Sequence, residues 1–236
     1  MAILSIFHTF VPMNPLKTMI VAALLAFESA PIMAQTIEEN FIKYGFVDVA
    51  TLSPSIKVDL MYGKADNFTG VVLYDGIDKA YLHPEAAHAV AKAQEELHKL
   101  FPGYNLLIKD ASRPMSVQTK MYRVVQGGPK AKYVSNPKNG GGLHNYGLAV
   151  DITIADADGK ELPMGTPVDH LGVEANIDRE LELVKAGKLT ETERQNRLLL
   201  RRVMKAGGFT PLRTEWWHFN LVSRAVAKSR YRRLDF

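Results

Sequence analysis

Two imidazoles and two carboxylates stand in two short segments of this chain, in a pattern suited to metal-assisted hydrolysis. The first segment is Gly142-Leu-His144-Asn-Tyr-Gly147-Leu-Ala149-Val-Asp151. The second, about sixty residues on, is Glu215-Trp216-Trp217-His218. A zinc hydrolase uses three protein ligands, leaves the fourth tetrahedral position to water, and keeps a free carboxylate to take that water's proton. The sequence contains no cysteine, so such a site has only His, Asp and Glu to draw on. Taken singly, each group has an ordinary structural use: a histidine in a hydrogen bond, an aspartate capping a loop, a tryptophan pair in the core. The combination is what points to chemistry. His83 and His88 at a helix start, His98 on a helix surface and His8 near the N-terminus keep the structural reading. His170 stays open because Asp169 precedes it.

These side chains need elements to aim them. Leu148–Ile154 has the composition of a β-strand, and its period of two sets Ala149, Asp151 and Thr153 on one face with the larger apolar residues on the other. The Gly/Pro/Asn/Lys-rich loop 126–142 delivers His144 to the start of that strand, and Gly147 gives the backbone the freedom to turn there. Glu215 and His218 are three residues apart. In a regular strand that spacing puts them on opposite faces, yet Trp216, Trp217 and Phe219 favour a strand. A twist, bulge or strand end is therefore expected at this point.

Elsewhere, Ile56–Leu60 and Tyr104–Lys109 read as strands, the first within a stretch, 41–61, that alternates apolar and polar residues in short pieces. Asn67-Phe-Thr-Gly70 reads as a turn. Pro84 opens a helix whose apolar positions include Ala87, Val90, Ala91, Leu97 and Leu100, and Ser116–Val125 is a second, shorter helix. From about Asp178 to Ala206 the pattern is helical with a break near Gly187. Short strands among helices, without a regular βαβ rhythm, predict an α+β fold: one domain with a central antiparallel sheet flanked by helices.

At 236 residues the chain suits one well-buried domain, and its net charge of +4 forms no run. Arg224, Lys228, Arg230, Arg232 and Arg233 cluster near the C-terminus. They form no recognisable nucleic-acid-binding motif, so they read as a solvated helix end and tail and no nucleic-acid partner is expected. Lys17 precedes the apolar run Met19–Phe27, too short to span a bilayer, with Ala30 and Ala34 as cleavage positions. Residues 1–34 are thus expected to be a signal peptide, with Met13 or Met19 as alternative initiators, and 35–236 the functional domain. The expected destination is the periplasm or the exterior, without stable membrane association once the leader is removed. Oligomeric state is not legible.

The two segments, G-L-H-N-Y-G-L-A-V-D and E-W-W-H, resemble the zinc D-alanyl-D-alanine dipeptidases of the vancomycin-resistance type, within the D-Ala-D-Ala metallopeptidase family that shares its fold with the hedgehog signalling domain. The resemblance extends over about residues 56–221 through Asp66–Gly70, Ser112-Arg113-Pro114, and Pro163-Met-Gly-Thr166 followed by Asp169. It implies one zinc ion held by His144, Asp151 and His218. Glu215 would be the general base and Arg113 the group that stabilises the developing oxyanion. Asp169 would receive the amine of a small D,D-dipeptide. The implied reaction is hydrolysis of D-Ala-D-Ala to two D-Ala in peptidoglycan turnover. A D,D-carboxypeptidase or endopeptidase acting on stem peptides, and a zinc-containing binding protein without catalysis, are the alternatives. One departure stands out: the family pattern has a serine where this chain has Gly142. Leu143 also lacks a hydroxyl that some members carry, and Asn145-Tyr146 is bulkier than in some relatives, which would reshape the pocket.

Overall fold

The apolar runs and two long amphipathic helices assemble residues 35–236, the part of the chain that the computed structural model describes. The expected leader and His8 lie outside the described residues. Thr36 and Glu39 form a reciprocal capping box (3.1 and 2.8 Å) that starts α1 (Ile37–Lys43). Residues 41–43 are therefore helical rather than part of an alternating stretch, because satisfied N-terminal amides outweigh a short alternation. Next come β1 (Val47–Asp48), α2 (Val49–Leu52), β2 (Lys57–Val58) and β3 (Tyr81–Leu82). They lead to α3 (Pro84–Leu100), β4 (Asn105–Asp110), α4 (Met115–Val125) and β5 (Ala149–Ala155). The C-terminal third holds α5 (Glu180–Lys185), α6 (Glu191–Gly207), β6 (Thr210–Leu212), β7 (Glu215–Asn220) and α7 (Arg224–Arg230).

The fold is α+β, with a five-stranded sheet in the order β2-β4-β5-β7-β6 and a two-stranded ribbon of β1 and β3. Strands β4, β5, β7 and β6 run antiparallel to their neighbours, as expected, whereas the edge strand β2 is parallel to β4. The physical reason is the connection. Residues 59–104, which include α3, form the long crossover that a parallel pair requires. Only Lys57 and Val58 of the expected 56–60 strand enter the ladder.

Ala86, Ala87, Val90, Ala93 and Leu97 of α3 are buried, as are Leu200, Val203 and Met204 of α6, and the two helices pack on each other. Gln94, buried on α3, accepts from Leu106 N (2.6 Å) and donates to Tyr104 O (3.0 Å), fixing the start of β4 against the helix. All seven residues of β5 are buried, so both faces of this strand are covered. Trp216 and Trp217 are core residues, and Trp216 Nε1 donates to Thr166 Oγ1 (2.8 Å).

Arg197 of α6 is 0% exposed and holds a long irregular segment in place. Its Nε donates to Met164 O (2.7 Å), its Nη1 to Glu174 O (3.0 Å), and its guanidinium lies 5.6 Å from the Trp216 ring. A buried guanidinium is tolerable only with such partners, and removing it leaves the two carbonyls without charged donors. Arg197→Ala should lower unfolding free energy by about 3 kcal/mol, read from urea denaturation. A change below about 0.5 kcal/mol would mean that segment 163–175 is held by other contacts.

Candidate metal centre and substrate cleft

Strand register creates the site. Asp110 of β4 pairs with Asp151 of β5, and Asp151 pairs with His218 of β7, so three polar residues lie in one row across three adjacent strands. His144 enters from a short 3-10 turn, Leu143–Tyr146, that ends at Gly147. Gly147 has φ +64°, and a Cβ there would meet Phe46 Cε1 at 2.2 Å and His83 N at 2.8 Å. Only glycine fits this turn.

The expected irregularity at Glu215 is a bulge. Pro211 faces Phe219, yet the next residue, Leu212, faces Glu215, so β7 carries extra residues there relative to β6. The bulge brings Glu215 Oε2 to 4.0 Å from His218 Nδ1 although the two are three residues apart.

His144 Nε2 lies 3.3 Å from His218 Nδ1 and 3.5 Å from Asp151 Oδ1, and His218 Nδ1 lies 2.9 Å from that same oxygen. A tetrahedral ion with bonds of about 2.0–2.1 Å spaces its ligand atoms about 3.3–3.4 Å apart. The three donors thus fit a metal ion with small adjustments, and their ligand atoms all fall within 4.8 Å of one another. Each imidazole is oriented from behind. His144 Nδ1 is 2.7 Å from Ala111 O, which can only accept, so Nε2 presents its lone pair to the centre. His218 Nε2 is 2.9 Å from Asn220 Oδ1, which leaves Nδ1 facing inward. Burial opposes ionisation of Asp151, but the charge and hydrogen bonds of the two histidines hold its carboxyl well below the usual range.

Around this centre lies a cavity of about 230 Å³ lined in part by Arg113, His144, Asp151, Asp169, Glu215 and His218. All six residues singled out in the sequence therefore meet at one place. Burial pushes the Glu215 carboxyl above its ordinary value, with the Asp151 charge adding to the effect. Arg113, 7% exposed, is ion-paired with the fully buried Asp110, donates from Nη1 to Gln118 Oε1 (3.1 Å), and lies 5.0 Å from the Tyr62 ring. Its Nε–H is buried with no hydrogen-bond partner among the described residues. Asp169 has φ +65°, alone among the described non-glycine residues, and accepts from Tyr62 Oη (2.7 Å). Burial, reinforced by the Asp151 charge, pushes its carboxyl up to about 8.

Four contributors escaped sequence reasoning: Asp110, Tyr62, Gln118 and Asn220. Asp110 is three residues before Arg113, a spacing that offered a signal; it also accepts from Tyr74 Oη and lies 3.4 Å from His144 Nδ1. Tyr62 acts across 107 positions, Asn220 through a strand end, and Gln118 from five residues beyond Arg113 on α4. Asn145 and Tyr146, noted in the sequence for their bulk, act on the pocket only from behind its lining. Neither lines the cavity: Tyr146 is buried, and Asn145 turns inward to accept from Gly142 N (2.7 Å) and donate to Arg113 O (2.7 Å).

His170 is outside the metal set and sits 3.4 Å from Glu174. His83 caps α3 by accepting from Glu85 N, His98 bonds to Asn105, and His88 is exposed, so these three have structural positions. In the basic C-terminal cluster, Arg224 and Lys228 donate to loop carbonyls, Arg232 stacks 3.8 Å over Tyr44, and Arg233 pairs with Asp235.

An α+β domain that gathers two imidazoles and two carboxylates at the floor of a small cleft defines a metal-dependent peptidase. The chain belongs to the D-Ala-D-Ala dipeptidase family, whose model matches residues 42–234. D-alanyl-D-alanine dipeptidase of Escherichia coli K12 is 33% identical over 179 residues, covering 76% of this chain and 86% of that protein. The enzymes of the same name from Enterococcus faecalis V583 and Enterococcus faecium are each 28% identical, and the matches cover 92% and 93% of their lengths. The likeness thus runs through the whole domain and is not confined to the two motifs.

The turn at Gly147 supplies the test of this geometry. Gly147→Ala should destabilise the protein by about 3 kcal/mol, from left-handed strain plus overpacking, and weaken metal binding with it. Thermal unfolding and metal content measured on the same preparation check both effects. An unchanged melting temperature would show that the turn is not confined as described.

Proposed function

We propose that this chain is a zinc-dependent D-alanyl-D-alanine dipeptidase, hydrolysing the free dipeptide to two D-Ala. The convergence of His144 Nε2, Asp151 Oδ1 and His218 Nδ1 beside the Glu215 carboxylate carries the reading. Two nitrogens and one carboxylate oxygen, with no sulfur, suit zinc, and the relatives named above bear the name of this activity. When bound, the ion would polarise the attacking water and the scissile carbonyl.

The chain's own residues do the rest. Glu215 takes the proton of the attacking water and returns it to the leaving amine. Its raised carboxyl pKa helps both transfers, since a base too weak would not accept and one too strong would not release. Arg113, which lines the cavity, would offer its guanidinium to the carbonyl oxygen as negative charge develops. Asp110 and Gln118 hold the guanidinium fixed, so no reorganisation is needed at that moment. Asp169 receives the substrate ammonium at the end of the cleft walled by Tyr62 and Phe68.

A buried carboxylate at Asp169 beside Tyr62 would meet a free amine close to the metal ligands, which favours a dipeptide over a stem peptide. The apolar run at Met19–Phe27 supports export to the periplasm. Recovery of D-Ala during peptidoglycan turnover would suit that location.

A panel of L,L, D,L, L,D and D,D dipeptides and a muropeptide, assayed with and without chelator, tests the substrate and the metal together. D-Ala-D-Ala should be cleaved and chelator should abolish turnover; release of D-Ala from the muropeptide alone would replace the dipeptidase by a carboxypeptidase. Glu215→Gln should retain the metal while kcat falls by about 10³. Retained turnover in that variant would remove Glu215 from the mechanism.

The acid limb of kcat/KM gives a separate check. Ammonium binding needs Asp169 ionised, and the Tyr62 hydrogen bond favours the ionised form. Tyr62→Phe should therefore move that limb to higher pH, whereas a shift to lower pH would contradict the assigned amine site.

A further inference from the structure

A dipeptide is a zwitterion, so a cleft that uses Asp169 for the amine must meet the carboxylate with donors elsewhere. Besides the histidines, Arg113 and Arg224 are the cations lining the cavity. Arg113, held by Asp110 and Gln118, is already assigned to the scissile carbonyl oxygen. Arg224 uses Nη2 on Gly141 O (2.7 Å) and Asn139 O (3.0 Å), which leaves Nη1–H and Nε–H outside those two bonds.

The space in front of Gly142 is taken by another residue. A Cβ at 142 would stand 3.0 Å from Ser135 Oγ and 3.5 Å from Ser135 Cβ, so side chains at 135 and 142 compete for one volume. Ser135 and Gly142 both line the cavity, and the Arg224 guanidinium is bonded to the residue just before Gly142. The backbone of Ser135 is also fixed: its carbonyl accepts from Gln118 Nε2 (2.7 Å), and Gln118 is the side chain that holds Arg113.

We propose that Ser135 and Arg224 form the subsite for the substrate's terminal carboxylate, with the Ser135 hydroxyl filling the place of the serine that the family pattern sets at 142. The hydroxyl is thus supplied from seven positions earlier in the same 126–142 loop, and Gly142 is the residue that makes room for it. This inference rests on the dipeptide reading of the cleft, which fixes the ligand's chemistry.

The test uses zinc-loaded protein and two probes, D-Ala-D-Ala and its C-terminal carboxamide. Ser135→Ala should raise KM for D-Ala-D-Ala about tenfold, the worth of one hydrogen bond to a charged group, with kcat changed less than threefold. The carboxamide should show little of that loss. Gly142→Ser alone should give no improvement, while Ser135→Ala combined with Gly142→Ser should restore KM to within about threefold of the parent. Calorimetric binding of D-Ala-D-Ala in a Glu215→Gln background reads the subsite without turnover. An unchanged KM in Ser135→Ala, or an equal loss with both probes, overturns the subsite. Parent turnover without a Ser135 effect rejects the subsite alone. No parent turnover, with a tenfold weaker Kd in Ser135→Ala, keeps the subsite and rejects the dipeptidase assignment.

Discussion

The structure depends on one cross-strand row: Asp110, Asp151 and His218 in register on β4, β5 and β7. Burying two carboxylates and an imidazole is unfavourable unless each finds partners of opposite charge or hydrogen bonds. The row satisfies that demand by dividing it. Asp110 is neutralised by Arg113 and by donors from Tyr74 and Ala111. Asp151 and His218 face each other and His144, where an ion would complete the balance of charge. Because a slip of one residue would send these side chains to the opposite face of the sheet, register and chemistry are the same constraint.

Behind the row stand groups that set its geometry. Ala111 O and Asn220 orient the two imidazoles through different nitrogens. Asn145 ties the His144 turn to the Arg113 backbone, and Leu234 N donates to Asn145 O (2.8 Å), so the C-terminal tail closes the same turn. Arg197, on the far side of Trp216, secures the segment that carries Asp169. Catalytic groups placed on rigid strands with such support lose little entropy when substrate binds.

Much of this was legible in the residues. Pro84 opened its helix as read, the break at Gly187 separates α5 from α6, and the mismatch between a strand and the Glu215–His218 spacing announced a bulge. These features are local, and local sterics and periodicity govern them. The 37–43 helix also carried a local signal, the Thr36–Glu39 capping box. The parallel pairing of β2 had none, since it depends on where a 46-residue connection returns.

The sequence by itself determined the kinds of groups available: two imidazoles, carboxylates and an arginine, with no thiol, on segments whose patterns set their secondary structure. Only the tertiary structure decided which of them meet. Asp110 became the partner of Arg113 and neighbour of His144, Tyr62 became the partner of Asp169, and Ser135 came to stand before Gly142. The reason is physical. Hydrogen bonds and charge pairs act over a few ångströms of space, and folding brings Tyr62 within 2.7 Å of a residue 107 positions away, a proximity that no local pattern encodes.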